Sequence, residues 1–208
     1  ISGEGLFNES VLDIFDDGTV DERDTACADL PYIIHDKTFV NAVQTSPNTW
    51  NVTYHIDVQN LGGATGQYNL RDEPVFENDI TINNVSYTST APGNPGLGLP
   101  TTPPWNLAAD QLINAGITHQ YTLTVNLTLN LQDQVTGDNQ YTECGTSVPG
   151  IPNPGEGLFN RSLLDVNDDG VPDQRDSVCA DLPYLIQDKT VSSLTQIGGN
   201  SYRIVYQV

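Results

Sequence analysis

Residues 119–131 read HQYTLTVNLTLNL, and they give the clearest indication of the fold class. Apolar or aromatic side chains alternate with polar ones along it, which is the period of two expected of a half-buried β-strand. Residues 50–58, WNVTYHIDV, have the same alternation. No segment has the periodicity of a helix. The chain is therefore predicted to be all-β, with further strands directly after Pro31 and around residues 67–72, 80–88 and 140–144.

Segments rich in Gly and Pro separate the predicted strands. Residues 60–66 form a predicted turn, and residues 92–104, PGNPGLGLPTTPP, form a predicted loop without strand character. Trp105 follows this loop and is predicted to cap one end of the core, with a platform for stacking sugars as the alternative. About seven strands joined by such turns favour an immunoglobulin-like antiparallel β-sandwich.

The sequence contains an internal repeat. Residues 3–38 recur as residues 155–190 without a gap, with 25 identities in 36 positions. The chain thus holds one repeat of about 150 residues and the start of another. We predict four segments, which are a calcium-loop segment (1–29), the sandwich (30–148), a linker with a second calcium loop (149–181), and the first strands of an incomplete second repeat (182–208).

The last segment is too short to be a domain. It contains two predicted strands, whereas independent stability needs three or more strands with a buried face. We therefore expect either that the chain is part of a longer array, or that another copy supplies the missing strands. The absence of methionine is also expected of a mature or excised segment.

An Asp-rich loop lies near the start of each repeat. In the second copy, residues 165–176 read DVNDDGVPDQRD, with side-chain oxygens at places one, three, five, nine and twelve. Hard cations such as Ca²⁺ bind six to eight oxygens, and glycine at the sixth place lets the chain turn back so that these oxygens converge. We therefore predict a calcium site formed by Asp165, Asn167, Asp169, Asp173 and Asp176, with the backbone carbonyl of Val171.

The first copy of the loop, residues 13–24, reads DIFDDGTVDERD and has Phe15 where the second copy has Asn167. Either Asp16 or water replaces the missing ligand, or this site is weaker. The segment after each loop does not have the pattern of an EF-hand helix. The predicted ligands of the first site are Asp13, Asp16, Asp17, Asp21 and Asp24.

Two resemblances extend these predictions. Each loop, with the Cys three residues after its last Asp, resembles the calcium repeats of thrombospondin type 3 and related bacterial surface-protein segments. Residues 50–72, WNVTYHIDVQNLGGATGQYNLRD, are similar to the strand, turn and strand core of Ig-like repeats in large bacterial and archaeal cell-surface proteins. This second resemblance covers about residues 30–145 and departs from the shorter family pattern at residues 92–104. It implies a tandem repeat in an exported stalk or fibre.

The chain is strongly acidic, with 7 Lys or Arg residues, 27 Asp or Glu residues and a net charge of −20. This charge argues against nucleic acid and anionic membrane surfaces as partners, and it favours cations. A generally acidic, solubilising surface is the alternative explanation. No apolar run is long enough to span a bilayer, so membrane insertion is not expected.

Three cysteines and five Asn-x-Ser/Thr sequons favour an extracellular location. We predict a disulfide between Cys27 and Cys144, with a partner for Cys179 beyond residue 208. The alternatives are a Cys144–Cys179 bond across the linker and a buried thiol. The sequons predict a glycoprotein with glycans on Asn8, Asn51, Asn84, Asn126 and Asn160.

No catalytic motif is present, and His35, His55 and His119 are predicted to be structural, so we do not expect an enzyme. The leading hypothesis is a building block of an extracellular filament, adhesin stalk or surface layer. Calcium would stiffen it beside the proline-rich linker at residues 145–156. Strand complementation with other copies or neighbouring repeats would extend it. The alternative is a calcium-dependent carbohydrate-binding or adhesion module that uses residues 92–104 and Trp105.

Overall fold

The computed structural model describes residues 5–130, 143–146, 149–183 and 188–208. Within these ranges the regular secondary structure consists of β-strands alone, and all strand pairs are antiparallel. This confirms the predicted all-β class. No helix capable of crossing a membrane occurs in this part of the chain. The strands are β1 (Asn8–Leu12), β2 (Glu22–Ala26), β3 (Ile33–Ser46), β4 (Thr49–Asn60), β5 (Gly66–Pro74), β6 (Ile80–Ser89), β7 (Gly98–Leu99), β8 (Trp105–Ile113), β9 (Thr118–Leu129), β10 (Asn160–Asp165), β11 (Gln174–Val178), β12 (Thr190–Gly198) and β13 (Ser201–Gln207).

Two larger sheets enclose the core, and their arrangement is that of a β-sandwich. One sheet has the order β3-β4-β9-β6-β7, and the other has the order β11-β10-β5-β8. Buried side chains from both sheets form one cluster that includes Tyr54, Leu123, Leu70 and Leu164. The two remaining sheets are separate two-stranded hairpins, β1-β2 and β12-β13.

The centre of the larger sheet follows from the alternating sequence pattern. Strands β4 and β9 pair so that Tyr54 lies opposite Leu123 and Val52 lies opposite Val125. All four side chains are fully buried, whereas the polar residues between them lie on the outer face. Burial of these two apolar rows explains why the strands predicted at residues 50–58 and 119–131 both form, the second ending at Leu129.

The structure differs from the predicted loop at residues 92–104. Gly98 and Leu99 form the short strand β7, which pairs with Ser86 and Val85 of β6. Trp105 is buried, and its indole nitrogen donates to the carbonyl of Pro100 over 2.7 Å. This position agrees with the predicted core role. The strand predicted at residues 140–144 lies mostly outside the described residues, and Glu143 and Cys144 have no strand assignment.

The sandwich extends past the predicted boundary at residue 148. Strand β10, from the second copy of the repeat, pairs with β5 along its whole length and places Ser162 opposite Asp72. Leu158, Leu163 and Leu164 from this segment are buried. The hairpin β10-β11 therefore completes the sandwich begun by the first repeat, because β5 would otherwise expose an edge and an apolar face.

The repeat contains two further hairpins, β1-β2 and β12-β13, that pair with no other described strand, and both are exposed. Strands β1 and β2 match β10 and β11 at the repeat offset, yet every residue of both strands is exposed. Leu12, the counterpart of buried Leu164, is 51% exposed. Strands β12 and β13 match the hairpin β3-β4 and are likewise exposed throughout.

Candidate functional site: the Asp-rich hairpins and their buried base

The loop between β10 and β11 is organised by the carboxylate of Asp165. One oxygen accepts the backbone N–H groups of Asn167 and Asp168, at 3.2 and 2.8 Å, and the other accepts Gly170 N–H at 3.0 Å. Gly170 has a φ of 80°, a left-handed conformation that glycine adopts without strain. The predicted need for glycine at the sixth place of the loop agrees with this geometry.

Three further predicted ligands hold the same turn. Asp173 accepts from Val166 N–H at 2.8 Å and from the amide nitrogen of Asn167 at 3.2 Å. Asn167 Oδ1 accepts the N–H of Asp169 at 3.3 Å, and Asp169 accepts the N–H of Val171 at 2.8 Å. The side-chain oxygens thus serve as caps for backbone amides.

The first loop has the same design but stands on an exposed hairpin. Asp13 accepts the N–H groups of Asp17 and Gly18, at 3.3 and 2.8 Å. Asp21 accepts the N–H of Ile14 at 2.7 Å. Hydrogen bonds from Thr19 lower the pKa of Asp17. Asp16 and Gly18 have φ values of 52° and 81°, which match 57° and 80° at Asp168 and Gly170.

Asp176 and Asp24, the residues predicted to close the two metal loops, accept hydrogen bonds from backbone amides. One oxygen of Asp176 accepts the backbone N–H of Lys37 at 2.6 Å, and the other accepts its neighbour Ser177 N–H at 2.8 Å. Asp24 likewise accepts Thr25 N–H at 2.9 Å. Both residues lie inside strands, beyond the turn, and their role as metal ligands stays a prediction.

A metal site is not assembled in either loop. Among the described residues, no three His, Cys, Asp or Glu side chains are grouped closely enough to hold a metal ion. The remaining loop carboxylates and the Asn167 amide are the oxygen ligands that Ca²⁺ prefers, but here they accept backbone amides. Calcium binding by these loops therefore stays a prediction.

Below the loop, the hairpin β10-β11 is attached to the sandwich by polar contacts. The side chain of Arg161 lies 2.7 Å from Glu73 on β5. Gln174 donates to the carbonyl of Ile33 over 2.7 Å, and the hydroxyl of Tyr54 donates to Leu158 O over 3.0 Å. At the loop itself, Asn69 donates to Asp168 over 2.9 Å.

A charged pair lies buried under the hairpin. Lys37 Nζ donates to Asp72 Oδ2, and neither side chain is exposed to solvent. Lys37 also lies 5.1 Å from the ring centre of Tyr54. Loss of solvation lowers the pKa of Lys37 and raises that of Asp72, while the attraction between the two charges opposes both shifts.

Asn160 lies next to this pair and is fully buried. It is close enough to lower the pKa of Asp72 against the larger effect of burial. In the described part of the chain, neither amide atom of Asn160 has a well-formed hydrogen bond, and neither does the Oδ1 atom of Asp72. The predicted glycan on Asn160 is wrong for the folded chain, because the sandwich leaves no room for it.

The other predicted glycosylation residues lie on accessible or partly accessible faces. Asn8 and Asn84 are exposed. Asn51 and Asn126 are half-buried on the outer face of the larger sheet, where Asn126 donates to Asn51 over 2.7 Å. Glycosylation at these four residues stays a prediction.

The predicted Cys27–Cys144 disulfide is wrong. Cys144 bonds Cys179, with 5.8 Å between their Cα atoms, which is the alternative pairing across the linker. The pairing agrees with the fold, because Cys179 directly follows β11, which belongs to the same sandwich as β9, the last described strand before Cys144. Cys27 occupies the equivalent place after β2 and is exposed.

The predicted histidines occupy different environments. His119 is buried, and its Nδ1 lies 2.9 Å from the hydroxyl of Tyr68. His35 Nε2 lies 3.4 Å from the carbonyl of Ser162. His55 lies on the half-buried outer face of β4. Desolvation lowers the pKa of both His35 and His119, and their positions are those of structural residues.

Sequence reasoning missed the buried group formed by Lys37, Asp72 and Asn160. These residues come from three strands and have no local motif. The repeat contained one signal, since Asn8 matches Asn160 and Lys37 matches Lys189.

Comparisons with known proteins identify no relative. No family model matches the chain, and neither a curated protein nor a solved structure is detectably similar to it.

Proposed function

We propose that the chain is a structural building block of an extracellular filament, stalk or surface layer made of tandem Ig-like sandwiches. One observation carries the proposal, which is that a hairpin from the second repeat completes the sandwich of the first. In an array built this way, each repeat contributes strands to its predecessor. Neighbouring units are then connected through a shared β-sheet and not only through a flexible linker.

The exposed hairpin β1-β2 supports this arrangement. It has the apolar side chains Val11 and Leu12 where β10 has buried Leu163 and Leu164. The hairpin β1-β2 also has Asp24 at the position equivalent to Asp176, and Asp176 accepts the backbone N–H of Lys37. In the proposed array, β1-β2 closes a neighbouring sandwich of the same fold.

Charge differences indicate which sandwich the first hairpin fits. Arg161, which contacts Glu73, is replaced by Glu9 in the first copy, and Gln174, which donates to Ile33 O, is replaced by Glu22. On this chain's own sandwich, Glu9 would oppose Glu73, and Glu22 could not donate. The proposed neighbour therefore has a cationic or neutral residue at the place of Glu73.

Calcium is proposed as a ligand of the second loop, through Asp165, Asn167, Asp169, Asp173 and the carbonyl of Val171. Bound Ca²⁺ would neutralise part of the carboxylate repulsion at the junction. The first loop, with Phe15 in place of Asn167, would bind more weakly. Calorimetric titration of chelator-treated protein tests this, with a rise in melting temperature expected only if the folded chain binds calcium. No heat of binding and no shift in melting temperature would remove calcium from the proposal.

Immunogold microscopy of cells of the native source tests the filament itself. Antibodies against the folded chain should label surface filaments or a continuous surface layer. Labelling confined to the cell interior would overturn the proposal. The carbohydrate-binding alternative has less support, because Trp105, its proposed stacking platform, is buried in the core.

A further inference from the structure

The buried group under the hairpin joins three strands that are distant in sequence. Lys37 lies on β3, Asp72 on β5 and Asn160 on β10, and the side chains of all three are enclosed by the sandwich. Replacing such buried ionic groups by apolar residues is often neutral or stabilising. Their presence at the base of the hairpin therefore calls for a role other than noncovalent packing.

The hydrogen-bonding state of the group is incomplete. Asp72 uses one oxygen for Lys37, while its other oxygen and both amide atoms of Asn160 have no well-formed partner within the described residues. Buried polar side chains in native proteins nearly always have such partners. An amide bond in place of Asn160 Nδ2 would remove one of these three unmatched atoms, because that nitrogen would leave as ammonia.

The amine and the amide recur in the repeat, although their neighbours change. Asn8 and Lys189 are the counterparts of Asn160 and Lys37. Lys189 also keeps the contact with an aromatic ring, since its amine lies 4.5 Å from the ring centre of Tyr206, the counterpart of Tyr54. The residues next to Asn8 and Asn160, in contrast, are Glu9 and Arg161, of opposite charge.

We propose that Lys37 and Asn160 form an intramolecular amide bond, with Asp72 as the acid–base group. Lys37 Nζ attacks Asn160 Cγ with its lone pair, while the carboxylic acid of Asp72 hydrogen-bonds to the amide oxygen and stabilises the charge that develops there. Asp72 then transfers a proton from Nζ to Nδ2. The bond from Cγ to Nδ2 breaks, and ammonia leaves. No oxidant, metal or cofactor is needed, because the reaction exchanges one amide for another.

The surroundings favour this reaction. Burial lowers the pKa of Lys37 and raises that of Asp72, which favours the neutral amine and the protonated acid. The folded sandwich also holds the reacting groups together, so that the reaction is effectively unimolecular. Folding and not a separate enzyme would trigger the bond.

The product would fix the second repeat's hairpin to the first sandwich. Lys37 lies on the first strand of that sandwich, and Asn160 lies on the hairpin that completes it. An amide between them would carry tension from one end of the unit to the other. This mechanical role rests on the proposed filament function, whereas the bond itself does not.

Intact-mass spectrometry of the full chain, reduced and denatured, tests the proposal. The expected mass is lower than the sequence mass by one ammonia, and a digest should contain a branched peptide joining Lys37 to Asn160. The variant Lys37→Arg should have its full sequence mass. The matched variant Lys189→Arg changes the equivalent exposed lysine and should still lose one ammonia.

Each outcome decides the question. A full mass for the wild-type chain, with no branched peptide, overturns the proposal whether or not the chain forms filaments. Loss of ammonia that persists in Lys37→Arg also overturns it, because a succinimide or another dehydrated product would then be the cause. Peptide mapping needs only the wild-type chain, so the test does not depend on whether Lys37→Arg folds. Asp72→Asn should retain both reacting groups and fail to join them.

Discussion

Arg161 on β10 contacts Glu73 on β5, with 2.7 Å between Nη2 and Oε2. The two residues belong to different copies of the sequence repeat, and their contact crosses the seam where the second copy completes the first sandwich. In the first copy the same place is occupied by Glu9, which contacts Arg23 within its own exposed hairpin at 2.8 Å. The equivalent position thus has a positive charge in β10, which pairs with β5, and a negative charge in β1, which pairs only with β2.

Reversal of the charge at this seam should weaken the sandwich. Arg161→Glu removes the contact with Glu73 and places two carboxylates together, and we expect a loss of about 1 kcal/mol in unfolding free energy for this partly exposed pair. Chemical denaturation measures it. The matched variant Glu9→Arg changes the equivalent residue of the exposed hairpin and should leave the main unfolding transition in place. Equal losses of unfolding free energy in both variants would contradict the claim that the Arg161–Glu73 contact stabilises the pairing of β10 with β5.

Asp165 should stabilise the fold even without a metal ion. Its carboxylate accepts three backbone N–H groups, so Asp165→Ala should lose about 1 to 3 kcal/mol by leaving those groups unmatched. Unfolding in excess chelator separates this effect from calcium binding. Asp13→Ala, the equivalent change on the exposed hairpin, is the control. If chelator abolishes the effect of Asp165→Ala, the hydrogen bonds are not what stabilises the loop.

The Cys144–Cys179 bond should stabilise the junction by restricting the unfolded chain. The bond spans 35 residues, and the chain-entropy model assigns about 3 to 4 kcal/mol to a loop of that size. Reduction should lower the melting temperature of the wild-type chain and leave that of Cys144→Ser/Cys179→Ser unchanged. A wild-type melting temperature that does not respond to complete reduction would contradict the assigned role.

Stability should decrease in acid partly because of His119. Burial lowers its pKa below the ordinary value of 6.5, so the unfolded chain binds the proton more readily than the folded chain. The stabilising contribution is present above pH 6.5 and is lost as the pH falls through the lowered pKa. We expect His119→Gln to flatten this part of the profile of unfolding free energy against pH. An unchanged slope would show that other groups cause the acid sensitivity.

The strands at the centre of the sandwich could be predicted because their pattern is local. Alternation in β4 and β9 specifies one buried face, and pairing of two such faces follows from burial of the apolar rows. The turn at Gly170 was also predictable, since its left-handed backbone requires glycine or a similar residue. The repeat was visible because the identities preserve spacing.

Other features depended on neighbours that a local pattern does not specify. Nothing within residues 160–165 indicates that they pair with β5, so the sequence predicts a domain boundary before them, at residue 148. The repeat likewise places Cys179 in the second unit, whereas β11, which directly precedes it, belongs to the first sandwich. Asp176 fits the ligand spacing, but strand pairing directs its carboxylate to Lys37. The group of Lys37, Asp72 and Asn160 forms only when three strands meet.

Hydrogen exchange of the full chain tests most directly whether one repeat completes the sandwich of another. Strands β1 and β10 have equivalent places in the repeat and share Asn, Ser and Leu at three of five matched positions, so their exchange rates compare a hairpin that pairs with β5 and one that pairs with no other described strand. We expect the amides of Leu163 and Leu164 to exchange as slowly as those of β4 and β9, and the amides of Val11 and Leu12 to exchange quickly. Equally fast exchange in both hairpins would contradict the shared sandwich and, with it, the proposed array.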